Sequence, residues 1–195
     1  MEKMIAIDGS TTKTGIAVFN LNSKKLCMHT VIAPDNIVKP LSKKDRKGLT
    51  KTQLKIRQRQ IKKENIDYRI SEMIKELDKV FNDYMPEVIV MEDTYANKDM
   101  YAYKKLCHLQ GLVLSYCITK KVTFILKPPQ SWRKDLDFEI TENGMQHTRE
   151  DYKLMSVKYI KDKYGIEATD DEADAICIGA VSYTHLRAHE TGRNL

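Results

Sequence analysis

Apolar residues near the N-terminus come in short runs rather than at helical spacing. Met4-Ile5-Ala6-Ile7 and Ile16-Ala17-Val18-Phe19 are separated by the polar stretch Asp8-Gly9-Ser10-Thr11-Thr12-Lys13-Thr14-Gly15, and runs this short, bounded by Gly, Ser and Thr, predict buried strands joined by a tight turn. A third such run, Lys25 to Ala33, follows the turn Asn20-Leu21-Asn22-Ser23, which makes an antiparallel three-strand meander. Pro34 closes it. Residues 35–52, with Pro40, Gly48 and many lysines, carry no period and predict a mobile loop. From Gln53, apolar residues from Leu54 to Phe81 recur at mostly helical spacing, so one long helix runs to Tyr84, basic in its first half and amphipathic in its second.

Met85-Pro86 ends that helix, and Val88-Ile89-Val90-Met91 is apolar throughout, as a strand buried on both faces must be. Asp99 can cap a helix to Cys117, with Tyr103, Leu106, Cys107, Gly111 and Leu114 on one side, and the strand Val122 to Leu126 follows. Strand, helix, strand implies a parallel crossover. A short helix and a loop occupy 130–150, an amphipathic helix runs from Arg149 to Tyr164 with Gly165 as its stop, and Thr169 or Asp170 caps a last helix. The expected fold class is α/β, with a mixed five-stranded sheet, a three-strand meander plus two parallel strands, flanked by helices.

A chain of 195 residues suits one domain able to close its core. Residues 1–181 are expected to form it, with a basic insertion over about 35–63, while 182–195 lose apolar periodicity and resemble a translated sequencing adapter, a non-native or disordered tail. The i, i+4 pair His185 and His189 falls in that tail and lacks the Glu of a zinc motif. Cys27, Cys107, Cys117 and Cys177 form no C-x-x-C pair, and no run has membrane-spanning length or the look of a signal leader, so a soluble cytoplasmic protein is expected. The net charge of +6 is unevenly spread. Between Lys39 and Lys63, eleven Lys or Arg face the single Asp45, the footprint of a polyanion-binding surface, on which Lys55, Arg57, Arg59 and Lys62 are candidate phosphate contacts.

Carboxylates stand at the ends of elements. Asp8 and Glu92 each end a central apolar strand, and Asp171 and Asp174 lie three apart on one face at the start of the last helix. A buried carboxylate is too costly to keep ionised without a cation. Clustered hard oxygen ligands without His or Cys select Mg²⁺, with Mn²⁺ as a substitute. Two such ions about 4 Å apart suit phosphodiester hydrolysis, with the basic segment supplying the nucleic acid. Asp93 and Asp170 are the alternative acids.

With these features the chain resembles the RuvC family of Holliday-junction resolvases, in the ribonuclease H-like superfamily, from Met4 to about Val181. The resemblance rests on IAIDGSTTKTG, on Glu92-Asp93-Thr94-Tyr95 with the following Lys98, on Lys105-Leu106 to Gly111, and on Asp171 to Ala175. Gly9-Ser10 after the first Asp and the long basic insertion are more similar to the phage or virus branch. The resemblance implies a ribonuclease H-like fold, a homodimer and a Mg²⁺-dependent endonuclease that nicks two like strands of a four-way junction symmetrically. It selects Asp171 and Asp174 over Asp170, and it implies DNA-binding roles for Tyr95, as a base-stacking aromatic, and for Lys98, Arg133 and Lys153. The helix from Asp99 to Cys117 would then form the dimer interface, through positions such as Leu109 and Leu112. Two other readings are an actin-like ATPase phosphate-binding domain, from the similar turn after Asp8, and a catalytically inactive branched-DNA binder.

Overall fold

The computed structural model describes residues 2–96, 99–138 and 147–191, with 183–191 as helical backbone only. Five strands, β1 (Lys3–Gly9), β2 (Thr14–Asn20), β3 (Leu26–Ile32), β4 (Val88–Glu92) and β5 (Thr123–Lys127), form one sheet in the order β3-β2-β1-β4-β5. The meander is antiparallel, whereas β4 runs parallel to β1 and β5 parallel to β4, as expected from the strand, helix, strand pattern.

Five helices cover the sheet: α1 (Lys51–Tyr84), α2 (Met100–Lys120), α3 (Pro129–Asp135), α4 (Arg149–Tyr164) and α5 (Asp170–Thr191). Side chains alternate along the strands. Ile5, Ile7, Ile89 and Met91 pack with Ile66, Met73 and Leu77 of α1 and Leu109 and Val113 of α2. Met4, Ala6, Val88 and Val90 pack instead with Trp132 of α3, Ile160 of α4 and Ile176 of α5. Both faces of the central strands are therefore buried, which is why those runs lack polar residues. Among the described residues no helix is long and apolar enough to cross a membrane.

Three details differ from the sequence expectations. Helix α1 starts at Lys51, because Thr50 and Gln53 form a reciprocal capping box. The segment ahead of it is tied down: the Asn65 side chain of α1 accepts from the Val38 N–H at 2.8 Å and donates to the Val38 carbonyl at 2.9 Å. Helix α2 buries Leu109, Val113 and Cys117, not the expected stripe, and leaves Leu112 and Leu114 exposed. Leu109 is thus a core residue of its own chain, and a charge there would disrupt the fold instead of an interface.

The approach of α5 to the meander is set by two small residues. A Cβ on Gly15 of β2 would lie 1.9 Å from the Asp171 carbonyl oxygen, and one on Gly179 would lie 2.1 Å from the Phe19 ring. The first obstacle is backbone and cannot rotate away, so a side chain at 15 must push the start of α5 off the sheet. Gly15→Ala is expected to cost about 3 kcal/mol, at the upper end of overpacking penalties, read as a lower urea midpoint; an unchanged midpoint would contradict the packing described.

Candidate active site

Strand register alone brings two carboxylates together. In β1 the side chains of Met4 and Ala6 face α5, so Asp8 continues that face; in β4 Val88 and Val90 do the same, so Glu92 follows. The pairing Met4↔Val88 to Ile7↔Met91 makes Asp8 and Glu92 the next neighbours in line. Helix α5 then begins directly above. Thr169 caps it with a hydroxyl facing the Glu172 N–H at 3.4 Å, and Glu172 reaches back to the Thr169 N–H at 2.9 Å. That start aims Asp171 and Asp174, both almost fully buried, at the strand ends.

A cleft of about 430 Å³ opens over this point, lined by Asp8, Glu92 and Asp174 together with Tyr95, Arg133 and Lys153. Cations surround the acids without neutralising them in full. Lys13 Nζ is 3.7 Å from Asp171 Oδ2 and Lys153 Nζ is 3.5 Å from Asp171 Oδ1, while Lys153 also bonds Asp170. The Arg133 guanidinium lies over the rings of Trp132 and Tyr152, at 5.0 and 4.4 Å, and its buried Nε has no hydrogen-bond partner. The cation is thus held by two aromatic faces beside the acids.

Electrostatics show the strain of this crowding. Burial, then the charges of Glu92 and Asp174, and a hydrogen bond with Glu92 hold the Asp8 carboxyl well above the usual carboxylate range. Asp174 is pushed up to about 6, by burial and by Glu92, against the opposing pull of Ser156, Arg133 and Lys153. Its Oδ1 is buried without a hydrogen-bond partner. Asp170 moves the other way, its carboxyl lowered by the hydrogen bond from Lys153. Among the described residues no three acids stand close enough, as placed, to ligate one ion.

Of the residues expected from sequence, Asp8, Glu92, Asp174, Tyr95, Arg133 and Lys153 line one cleft, and Asp171 adjoins it. Tyr95 is 70% exposed. Lys98 lies outside the described residues. Lys55, Arg57, Arg59 and Lys62 are exposed along the first turns of α1 and do not line the cleft, and Lys62 is engaged by Asp99 at 2.5 Å. Of the two alternative acids, Asp93 lines the cleft and Asp170 is committed to Lys153. Sequence reasoning missed three contributors. Trp132 donates its indole N–H to Glu92 Oε1 at 2.9 Å. Lys13 faces Asp171. Arg69 of α1 donates to the Thr11 carbonyl at 2.7 Å and also bonds Asn36, tying the turn after Asp8 to the segment that follows β3. The aromatic next to a cation in Trp132-Arg133 was the one local signal of these.

No family model matches the sequence. Among curated proteins, the chain is 26% identical over 124 residues to the crossover junction endodeoxyribonuclease RuvC of Rickettsia conorii, covering 64% of this chain and 73% of that one. The RuvC of Rickettsia akari is 27% identical over 122 residues, 63% and 72% of the two chains. Among solved structures, Thermus thermophilus RuvC in complex with a Holliday junction substrate superimposes with a TM-score of 0.62 at 15% identity, over 96% of both chains. A second Thermus thermophilus RuvC structure gives 0.59 at 16% identity, over 95% and 96%. The architecture is therefore the ribonuclease H-like one of RuvC. The chain is thus similar in sequence to several RuvC proteins over 64% of its length and has the fold of Thermus thermophilus RuvC over nearly all of it.

Proposed function

We propose that the protein is a divalent-metal-dependent endodeoxyribonuclease that resolves four-way or other branched DNA by paired symmetric nicks, acting as a homodimer. The observation that carries this reading is the Asp8 and Glu92 pair, set side by side by strand register and met by Asp174 and Asp171 from α5, in an open cleft ringed by Arg133 and Lys153. The names of the relatives support the same substrate class.

The donor set fits a hard cation. All four candidate ligands are carboxylates, their mutual repulsion is relieved by positive charge, and the buried Asp174 Oδ1 has no other partner. Binding must draw the side chains inward. Asp8, Glu92, Asp171 and Asp174 would hold Mg²⁺, or Mn²⁺ in its place, as a two-ion site. When bound, the ions activate water and stabilise the leaving oxygen. The chain's own groups do the rest. Arg133 and Lys153 offer donors to the phosphodiester at the cleft wall, and Tyr95 at the rim offers a ring face to an unpaired base, where stacking contributes about 1–3 kcal/mol. Exposed Leu114 and Ile118, four residues apart on one side of α2, give an apolar patch for a second copy of the chain.

Incubation of the full chain with labelled four-way, forked and linear DNA in Mg²⁺ is the direct experiment. Paired nicks in the four-way junction, by a complex that sediments with two protein chains, are expected, and Asp8→Asn, Glu92→Gln or Asp174→Asn should abolish cutting while junction binding persists. Wild-type cutting by Glu92→Gln would refute the site, and junction binding by a single chain would refute the dimer. Neutralising Lys55, Arg57, Arg59 and Lys62 together should weaken binding and flatten its dependence on salt; an unchanged slope would remove the first turns of α1 from the DNA-binding surface.

A further inference from the structure

Trp132 is the single tryptophan of the chain and is fully buried. A buried indole needs an acceptor for its N–H, and here the acceptor is Glu92 Oε1, at 2.9 Å. The donor is held firmly. Lys127, the β5 residue in register with Glu92, pairs with Asp135 at the end of α3 at 2.8 Å. The Trp132 ring meets Phe138 edge to face at 6.2 Å. Glu92 is also gripped through its backbone: Gln110 Nε2 of α2 donates to the Glu92 carbonyl at 3.1 Å, and Thr94 donates to Gln110 Oε1 at 3.2 Å.

We propose that Trp132 is a positioning residue for the cation site: its indole N–H holds one oxygen of the Glu92 carboxylate and leaves the other for a divalent ion. Helix α3 thereby completes the site without contributing a ligand. The choice of a neutral donor matters. A Lys or Arg at this point would neutralise Glu92 and compete with the ion for it, whereas an N–H fixes the carboxylate's orientation and leaves its charge in place. Hydrogen bonds of this kind typically carry 10–100-fold in metal affinity. The proposal rests on Glu92 being a ligand, as proposed above.

The single tryptophan makes a clean test possible. Growth on β-(3-benzothienyl)alanine replaces Trp132 alone, with sulfur in place of the N–H and the ring shape nearly kept. Calorimetric titration of the full chain with Mn²⁺ should then show about 10–100-fold weaker binding, with the fold in EDTA retained by circular dichroism and cutting restored at raised Mn²⁺. Wild-type Mn²⁺ affinity in the substituted, folded protein would overturn the proposal. Should the substituted chain not fold, the indole N–H resonance of the ¹⁵N-labelled wild-type protein decides. It should be protected from solvent exchange and move on addition of Mg²⁺, and indifference to Mg²⁺ would overturn the proposal. A Glu92→Gln variant titrated alongside separates the two levels, since undiminished Mn²⁺ affinity there would refute Glu92 as a ligand and not merely its positioning.

Discussion

Mutual repulsion among carboxylates at the mouth of one cleft is the constraint around which the surrounding structure is built. Burial, and after it the like charges of Glu92, Asp174 and Asp171, hold the Asp8 carboxyl well above its usual range. The fold confines them regardless. Parallel register makes Asp8 and Glu92 neighbours, and the start of α5 buries Asp174 at the same cleft with Asp171 beside it. Each nearby compensation is partial: Lys13 and Lys153 flank Asp171, Arg133 pulls on Asp174, and the Trp132 indole bonds Glu92. An arrangement so costly without a cation is well suited to holding one.

Confinement in turn depends on how close α5 can come to the sheet. Gly15 opposes Asp8 in the β1–β2 register and is the residue over which the Asp171 carbonyl lies. One glycine therefore sets both the strand pair that carries Asp8 and the depth of the helix that carries the facing acids. Gly179 repeats the device two turns along, against Phe19. Glycine is entropically costly in a strand or helix interior, so its presence at both contacts is explained by packing and not by local propensity. Arg69 adds a second tie, from α1 to the turn after Asp8.

Much of this was legible in the sequence because the relevant signals are local. Short apolar runs marked the strands, and acids at the ends of two of them marked Asp8 and Glu92. The long α1 followed from its period, and its start at Lys51 was available in the Thr50 and Gln53 capping pair. The buried face of α2 was not. That helix carries Leu106, Leu109, Leu112, Val113 and Leu114 almost all round, so period alone cannot choose a face; contact with α1 and β4 selects Leu109 and Val113. Trp132 was illegible for a related reason. Its partner lies 40 residues away in the chain, and no short-range pattern distinguishes an indole bonded to a carboxylate from one that merely fills a core.

The central claim, that the acids are held together at a cost which a divalent ion relieves, is tested most directly by stability measured with and without metal. Asp174 has its carboxyl raised in the folded state to about 6, so the metal-free protein should lose stability as pH rises from about 4, where the unfolded chain releases this proton, through 6. Asp174→Asn should be free of that residue's share of the loss, while Asp8, whose carboxyl is also raised, keeps its own. In EDTA at pH 7.5 the variant is expected to be more stable than wild type by about 2 kcal/mol, with the gap closing toward pH 4, and Mg²⁺ should raise the wild-type melting temperature much more than the variant's. A variant destabilised equally at both pH values, with a wild-type melting temperature indifferent to Mg²⁺, would contradict the account.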